Sequence, residues 1–263
     1  MTGDRWTGSV TRMLAPNPGP MTLDGTNSYV IAAPGASGVV VVDPGPDDAG
    51  HLDALAAAGQ VALVLLTHRH GDHVEGVDGL VARTGAPVRA ASADLCRDAE
   101  PLRDGEVIRI GDAALQVLAT PGHTDDSVCF LLTGAGEAPV MLTGDTILGR
   151  GTTVILPPDG SLADYFVTLD VLEAQGAIPA LPGHGPMLDD LAAVCARYRA
   201  HREERLGGVR AVLADLGAQP ADELDLVTAV VDRLYADVEA SIRFAAEAST
   251  RAQFAYLAAS AGR

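Results

Sequence analysis

One seven-residue segment constrains this chain more than any other, because three histidines and an aspartate crowd into it. Residues 67–73 read Thr-His-Arg-His-Gly-Asp-His and directly follow the apolar run Val61 to Leu66, which predicts a buried strand. Side chains two positions apart in extended backbone point the same way, so His68 and His70 can bind one metal ion from one side. The segment therefore predicts a metal site at the end of a strand.

The end of this segment and three later turns add residues of the same kind. Gly71 lets the chain turn, which brings Asp72 and His73 to a neighbouring position as a helix begins near Glu75. Each later turn follows a predicted strand, contains a glycine and carries one metal-ligand type of residue: Pro121-Gly122-His123, Thr143-Gly144-Asp145 and Pro182-Gly183-His184. Because the ends of neighbouring strands share one edge of a sheet, we expect the four turns to converge.

Convergence would gather five imidazoles and two carboxylates: His68, His70, His73, His123, His184, Asp72 and Asp145. Seven ligands exceed the tetrahedral complement of one zinc ion but suit two ions that share a bridging carboxylate. Imidazole and carboxylate without thiolate suit Zn²⁺ and also Mn²⁺ or Fe²⁺, so we predict two divalent metal ions, with zinc preferred. The alternative, a purely structural role for each histidine, is retained for His51 and His201, which lack such surroundings.

The first 190 residues alternate short apolar runs with glycine, proline and aspartate. These runs predict nine strands: Ser28 to Ala32, Gly38 to Val42, Val61 to Leu66, Val88 to Ala90, Val107 to Ile110, Ala114 to Ala119, Ser127 to Leu132, Val140 to Leu142 and Ile178 to Leu181. Helical patterning covers Asp47 to Ala58, Glu75 to Thr84 and Leu162 to Gln175. This mixture predicts an α/β fold with two packed sheets and helices on their outer faces.

From about residue 187 onward, helix-forming residues dominate. They predict helices over Asp189 to Leu216, Leu224 to Tyr235 and Val238 to Ser260, with breaks at Gly207 and Gly208 and at the turn Gly217 to Pro220. We therefore divide the chain into a metal-binding segment, residues 1–190, and a C-terminal helical segment, residues 191–263. The apolar positions of the second segment fit packing onto the first, self-association into a homo-oligomer or a protein partner, and packing onto the first is favoured.

Charge separates the two segments and bears on the partners. The chain carries 35 acidic and 18 basic side chains, a formal net charge of -17, which repels nucleic acid and anionic membranes at long range. Residues 1–195 hold nine arginines and 25 acids, whereas residues 196–263 hold nine arginines and ten acids. The N-terminus, residues 1–14, has no apolar run of signal-peptide length and the longest apolar runs elsewhere are strand-sized, so we expect a cytoplasmic protein without a membrane partner.

The order of these motifs resembles the metallo-β-lactamase superfamily, whose hallmark is a THxHxDH loop followed by single His, Asp and His ligands. The resemblance covers about residues 22 to 190 and implies an αββα sandwich. It also implies a division of the ligands in which Asp145 bridges two ions, the first held by His68, His70 and His123 and the second by Asp72, His73 and His184.

Further segments resemble the β-lactamase-like protein 2 branch of that superfamily: residues 17–29, 121–127 and 143–149 and the run His201-Arg202-Glu203-Glu204-Arg205. Members of this branch include a single-strand-specific endoribonuclease and thioesterases that release polyketides from carrier proteins. The branch typically ends in a winged-helix-like domain. The resemblance therefore implies a winged-helix-like C-terminal segment, although residues 224–263 predict helices and no β-wing.

These features together predict a metal-dependent hydrolase. Two divalent ions about 3.5–4 Å apart can hold a hydroxide between them at neutral pH, and Asp72 would orient this nucleophile while Asp145 bridges the ions. The acidic surface favours an ester, thioester or lactone bond of a small or carrier-bound substrate. Arg150 lies in the loop 149–160, and we expect its side chain either to be exposed to solvent or to face an anionic substrate group.

Two other activities stay open at this point. A single-strand-specific endoribonuclease or phosphodiesterase would use the same nucleophile on phosphorus, with single-stranded RNA as the partner, and it would require a cationic path for the strand. An iron-dependent dioxygenase of the persulfide type has a similar histidine loop but uses a single metal ion. The full second set of ligands in this chain disfavours that activity.

Overall fold

The computed structural model describes residues 3–134 and 136–261, and within them eleven strands form two sheets. The two predicted segments also include residues 1, 2, 135, 262 and 263, which lie outside the described residues, and the division at residue 190 stays a prediction. The first sheet has the order β1-β2-β3-β4-β5-β6, with strands Asp4–Arg5, Val10–Leu14, Asn27–Ile31, Val39–Val42, Val61–Leu65 and Val88–Arg89. The second has the order β11-β10-β9-β8-β7, which in chain order are Val107–Ile110, Ala113–Ala119, Val128–Thr133, Val140–Gly144 and Ala180–Pro182.

Strand β4 shows why the sheets lie between helices. All four of its residues, Val39 to Val42, are buried. Because successive side chains point to opposite faces, Val40 and Val42 pack between the two sheets, while Val39 and Val41 pack under the helices of the first sheet. In each sheet the pairs at one end are parallel, namely β4-β5-β6 and β10-β11, so the loops that follow these strands leave from the same edge.

Helices cover both outer faces. They are α1 Ala49–Ala56, α2 Gly71–Val74, α3 Val77–Thr84, α4 Leu162–Glu173, α5 Leu191–Leu216, α6 Leu224–Leu234 and α7 Arg243–Ala261, with single 3₁₀ turns over Ala93–Leu95 and Ala240–Ile242. Leu52 of α1 and Leu80 of α3 pack on the first sheet, while α4 packs on the second. The predicted αββα sandwich with a C-terminal helical segment is confirmed.

The C-terminal helices do not stand apart from the sandwich. Tyr165 of α4 and Tyr198 of α5 are buried in one hydrophobic core that continues to Val230 of α6 and Phe254 of α7. Residues 191–261 contain helices and no strand. Among the described residues, no helix is both long and apolar enough to cross a lipid bilayer.

Three expectations about these elements were wrong. The N-terminus, for which no strand is predicted, forms β1 and β2: β1 is the edge strand, where polar side chains face solvent, and β2 buries Val10 and Met13. Asp72 and His73 lie in the separate short helix α2 rather than before one helix that begins near Glu75. Helix α5 continues through Gly207 and Gly208, and a side chain at Gly208 would lie 3.2 Å from a methyl carbon of Leu234, so this glycine permits the close approach of α6.

Candidate metal centre

All seven predicted ligands come together at one edge of the two sheets. Residues 68–73 follow β5, His123 follows β8, Asp145 follows β10 and His184 follows β11. His68, His73, His123, His184 and Asp145 are buried, whereas His70 and Asp72 are partly exposed. The strands therefore place the four turns together as the sequence predicts. Two of the seven side chains remain partly exposed to solvent.

Three imidazole nitrogens form the first cluster. Nδ1 of His70 lies 3.1 Å from Nε2 of His68 and 3.0 Å from Nε2 of His123. An ion bound at 2.0–2.1 Å in tetrahedral geometry has ligand atoms about 3.3 Å apart. These three nitrogens therefore have the spacing of one face of a coordination tetrahedron, and they could hold a metal ion.

A second cluster combines a carboxylate with two imidazoles. Oδ2 of Asp72 lies 3.0 Å from Nε2 of His184 and 3.5 Å from Nε2 of His73, and the two imidazole nitrogens are 3.3 Å apart. This spacing again matches a tetrahedral face, and the three residues could hold another ion.

Asp145 lies between the clusters. Its Oδ1 is 3.4 Å from Nε2 of His73, and its Oδ2 is 3.3 Å from Nε2 of His184 and 3.9 Å from Nε2 of His123. The buried Oδ1 has no hydrogen-bond partner among the described residues. A buried carboxylate oxygen without a donor is costly, so its position favours a cation nearby.

The protonation pattern of the first cluster tests whether a metal fits there. Nδ1 of His123 donates to the carbonyl oxygen of Val154 at 2.8 Å, so its Nε2 carries a lone pair. Nδ1 of His68 donates to Oγ1 of Thr67, which itself donates to Asp43, so Nε2 of His68 also carries a lone pair. Nδ1 of His70 can hold one proton at most and cannot serve both neighbours. A cation satisfies all three nitrogens, so the residues fit a metal ion.

Electrostatics gives the two clusters different affinities for protons. Burial lowers the pKa of His123 to about 4 and lowers the pKa of His68 well below its usual value. Burial also disfavours the charged form of His184, but Asp145 outweighs it and raises the pKa of His184 to about 9. For His73, Asp145 and Asp43 outweigh burial and hold the pKa well above its usual value. The carboxylates that attract protons to the second cluster would attract a divalent cation in the same way.

Asp43 supports both clusters and is the functional residue that sequence reasoning missed. Its carboxylate accepts from Thr67 through the backbone nitrogen at 2.8 Å and through Oγ1 at 2.7 Å, and it lies 2.8 Å from Nδ1 of His73. It thereby fixes the ring of His73 directly and that of His68 through Thr67. The signal was present, since an aspartate that directly follows four buried valines must itself lie near the core.

A glycine is required where β11 meets the centre. A Cβ atom at Gly183 would lie 2.4 Å from Oδ1 of Asp145 and 2.8 Å from Cε1 of His73. Both distances are far shorter than a carbon contact allows, and both neighbours are held by the site itself. The glycine of this turn therefore permits a close approach of β11 to the centre that any side chain would prevent.

The remaining predicted residues lie elsewhere. Nε2 of His51 lies 2.8 Å from Oγ of Ser28, and this histidine is buried on the inner face of α1 as a core residue. His201 lies on α5, partly exposed. Nη2 of Arg150 is 2.9 Å from Asp24. In this arrangement its charge is balanced by a neighbouring carboxylate.

The sandwich with its cluster of histidines and aspartates at one edge of the sheets defines a class of metal-dependent hydrolases. The sequence pattern of the metallo-beta-lactamase superfamily matches residues 21–184. The chain belongs to the metallo-beta-lactamase superfamily, and its resemblance to that superfamily is confirmed.

Individual relatives extend the likeness beyond the matched region. The chain is 32% identical over 250 residues to the beta-lactamase-like protein 2 homolog of Caenorhabditis elegans, and the aligned region covers 90% of this chain and 80% of that protein. It is 33% identical over 209 residues to the atrochrysone carboxyl ACP thioesterase of Aspergillus chevalieri. The aligned region covers 76% of this chain and 64% of that protein, so the chain spans less than two thirds of the thioesterase's length. A metallo-beta-lactamase family protein from Thermus thermophilus has the same fold, with a TM-score of 0.77 and 23% identity over 98% of this chain and 95% of its own.

Proposed function

We propose that this protein hydrolyses a thioester, ester or lactone bond of a small or carrier-bound acyl substrate, with two divalent metal ions held by the seven side chains of the centre. His68, His70 and His123 would hold one ion and Asp72, His73 and His184 the other, with Asp145 between them. The observation that carries this proposal is the pair of ligand clusters, each with the spacing of a tetrahedral face and joined by one buried carboxylate. Zinc suits these ligands, and manganese and iron also do.

When bound, two such ions supply a nucleophilic hydroxide at neutral pH and polarise a carbonyl oxygen. Asp72 is the more exposed of the two carboxylates, and it lines a cavity of about 210 Å³ above the clusters together with His70 and His184. From that position Asp72 can orient an attacking water towards a substrate in the cavity. Oγ1 of Thr26 donates to Oδ2 of Asp72 at 3.3 Å and helps to hold this carboxylate.

The rim of this cavity favours an acyl substrate. Met21, Leu156 and Phe244 line it and are exposed, which gives the entrance an apolar surface of the kind that binds acyl groups. The similarity to an ACP thioesterase supports the same choice.

Two arginines near the metal centre do not favour RNA as the substrate. Arg69 forms ion pairs with Asp125, Asp126 and Asp159, and Arg150 pairs with Asp24. A single strand needs unpaired cations along its path. Within the described residues, these two arginines are already balanced by carboxylates.

A parallel assay tests the proposal. The full chain, with its metal content measured as purified, is given an acyl thioester, a lactone, bis-p-nitrophenyl phosphate and labelled single-stranded RNA. We expect turnover of the thioester or lactone and a content of two metals per chain. Cleavage of RNA with neither acyl substrate turned over would overturn the acyl assignment, and one iron per chain with oxygen uptake would overturn the two-metal hydrolase.

A further inference from the structure

A second cavity of about 400 Å³ adjoins the metal centre, and the C-terminal helices form its far wall. His123 and Asp145 line the end nearest the clusters. Arg202 of α5 and Gln253 of α7 line it from the C-terminal segment. A substrate held at the metals can therefore extend into a space that the sandwich alone does not enclose.

Arg202 is unusual for a charged residue. It is only 4% exposed, and among the described residues no carboxylate forms an ion pair with it. One guanidinium nitrogen, Nη2, donates to the carbonyl oxygen of Thr153, while Nε is buried without a partner. The guanidinium also lies over the ring of Tyr165, 5.4 Å from its centre. Buried charges in proteins are normally paired with an opposite charge, and the described residues supply none to this guanidinium.

Gln253 repeats the pattern on the opposite helix. The residue is 2% exposed, and its Oε1 has no hydrogen-bond partner among the described residues. Both residues thus line the same cavity, and each has a buried polar atom without a partner among the described residues. Tyr235, Val238 and Ile242 supply apolar wall to this cavity.

We propose that this cavity binds the acyl part of the substrate and that Arg202 selects acyl groups with an oxygen acceptor, a carboxylate or a carbonyl, at the end remote from the scissile bond. The apolar walls would contact the body of the acyl group, and the guanidinium group of Arg202 would donate to its far oxygen. This inference rests on the proposed acyl hydrolysis and names its substrate class. Arg202 is accordingly a specificity-determining residue supplied by the C-terminal segment.

Binding without turnover provides the test. Non-hydrolysable thioether analogues that share one chain length and end in a carboxylate, a methyl ketone or a methyl group are titrated calorimetrically into the full-length protein. We expect the two oxygenated analogues to bind about 10- to 100-fold more tightly than the methyl analogue, as a hydrogen bond to a charged group allows. The carboxylate and ketone arms show which acceptor the site prefers.

Three variants separate selection from structural support. In Arg202→Met the preference for oxygenated analogues should fall to within about threefold, and Arg202→Lys should restore part of the carboxylate preference. Arg199→Met is the matched control, because Arg199 lies on the same helix but pairs with Asp170 away from the cavity. A general loosening around Thr153 would weaken all analogues alike and leave their ratio unchanged.

The outcomes of this experiment are distinct. Equal binding of all three analogues by the wild-type protein, or a ratio that Arg202→Met leaves unchanged, would overturn the inference. A clear preference for oxygenated analogues in a protein that hydrolyses no thioester, ester or lactone would instead overturn the proposed function and leave the acyl cavity standing.

Discussion

The metal centre and the C-terminal wall of the adjoining cavity are built differently. At the metal end, the ring orientations of His68, His73 and His123 are fixed by partners within the sandwich, such as Asp43 and the Val154 carbonyl. At the far end, Arg202 and Gln253 are just as buried, yet each keeps an unpartnered polar atom. The contrast supports the proposal that the sandwich alone assembles the metal centre, whereas substrate selection depends on how the C-terminal helices pack against it.

Removing the carboxylate between the clusters should impair turnover at the metal centre and leave the selectivity of the adjoining cavity unchanged. Asp145→Ala should lower turnover by about 10³-fold or more, because both clusters would lose the ligand that we propose they share. Binding of the thioether analogues should keep its preference for an oxygenated end. Steady-state kinetics on metal-checked protein and calorimetry measure the two effects, with the exposed Asp215→Ala as the control. Near-full activity of the Asp145 variant would contradict its bridging role.

Acid should destabilise the sandwich through His51. Burial lowers the pKa of this histidine to about 4, whereas an unfolded histidine titrates near 6.5. Between these two pH values the unfolded chain binds a proton at His51 and the folded chain does not. The contribution of His51 to stability is therefore complete above pH 6.5 and is lost as the pH falls towards 4. The loss amounts to about 3 kcal/mol.

Urea unfolding of the metal-free wild-type protein and of His51→Gln at pH 7 and pH 4.5 measures this contribution. The variant should be less stable at pH 7 but lose less stability on acidification. The same substitution at the partly exposed His201, on the C-terminal side, serves as the control. An identical pH dependence in wild type and His51→Gln would rule out the buried histidine as the source.

Asp43→Asn should weaken metal binding without removing a ligand. An amide replaces one acceptor by a donor opposite Thr67 and His73, so their orientation is less well fixed. We expect a loss of about 10- to 100-fold in metal affinity or activity. Competition with a chromogenic chelator measures the affinity, and Asp53→Asn, on the surface of α1, controls for the change of charge. Unchanged metal affinity would show that the rings are held by packing alone.

The smallest expected effect lies in the C-terminal helices. Gly207 is inside α5, and a side chain there would meet nothing within 4 Å. Gly207→Ala should therefore stabilise the protein by about 0.5–1 kcal/mol with kcat unchanged. Gly208→Ala, which would crowd Leu234, should gain less. Thermal unfolding of both variants compares them, and a loss of stability in Gly207→Ala would mean that the helix is strained at that point.

Sequence reasoning reached the parts of the molecule that short segments encode. The alternation of buried strands with glycine turns placed the ends of β5, β8, β10 and β11, and hence the seven side chains, because strand ends in one sheet must share an edge. It missed β1, which has two polar residues, and β2, in which apolar and polar residues are mixed. It also broke α5 at two glycines that helix packing tolerates. Asp43 escaped notice because it lies 24 residues from the Thr67 that it supports.

The sequence by itself therefore determined the sandwich, the family and the residues that come together at its edge, since each is written in a local pattern of residue types. Only the tertiary structure decided which partner fixes each imidazole, and that helices far along the chain close the cleft with a buried, unpaired arginine. The physical reason is that ligand spacing follows from backbone geometry within a few residues. The environment of Arg202 depends instead on the packing of α5 and α7 against the loop that contains Thr153, which lies 49 residues before Arg202 in sequence.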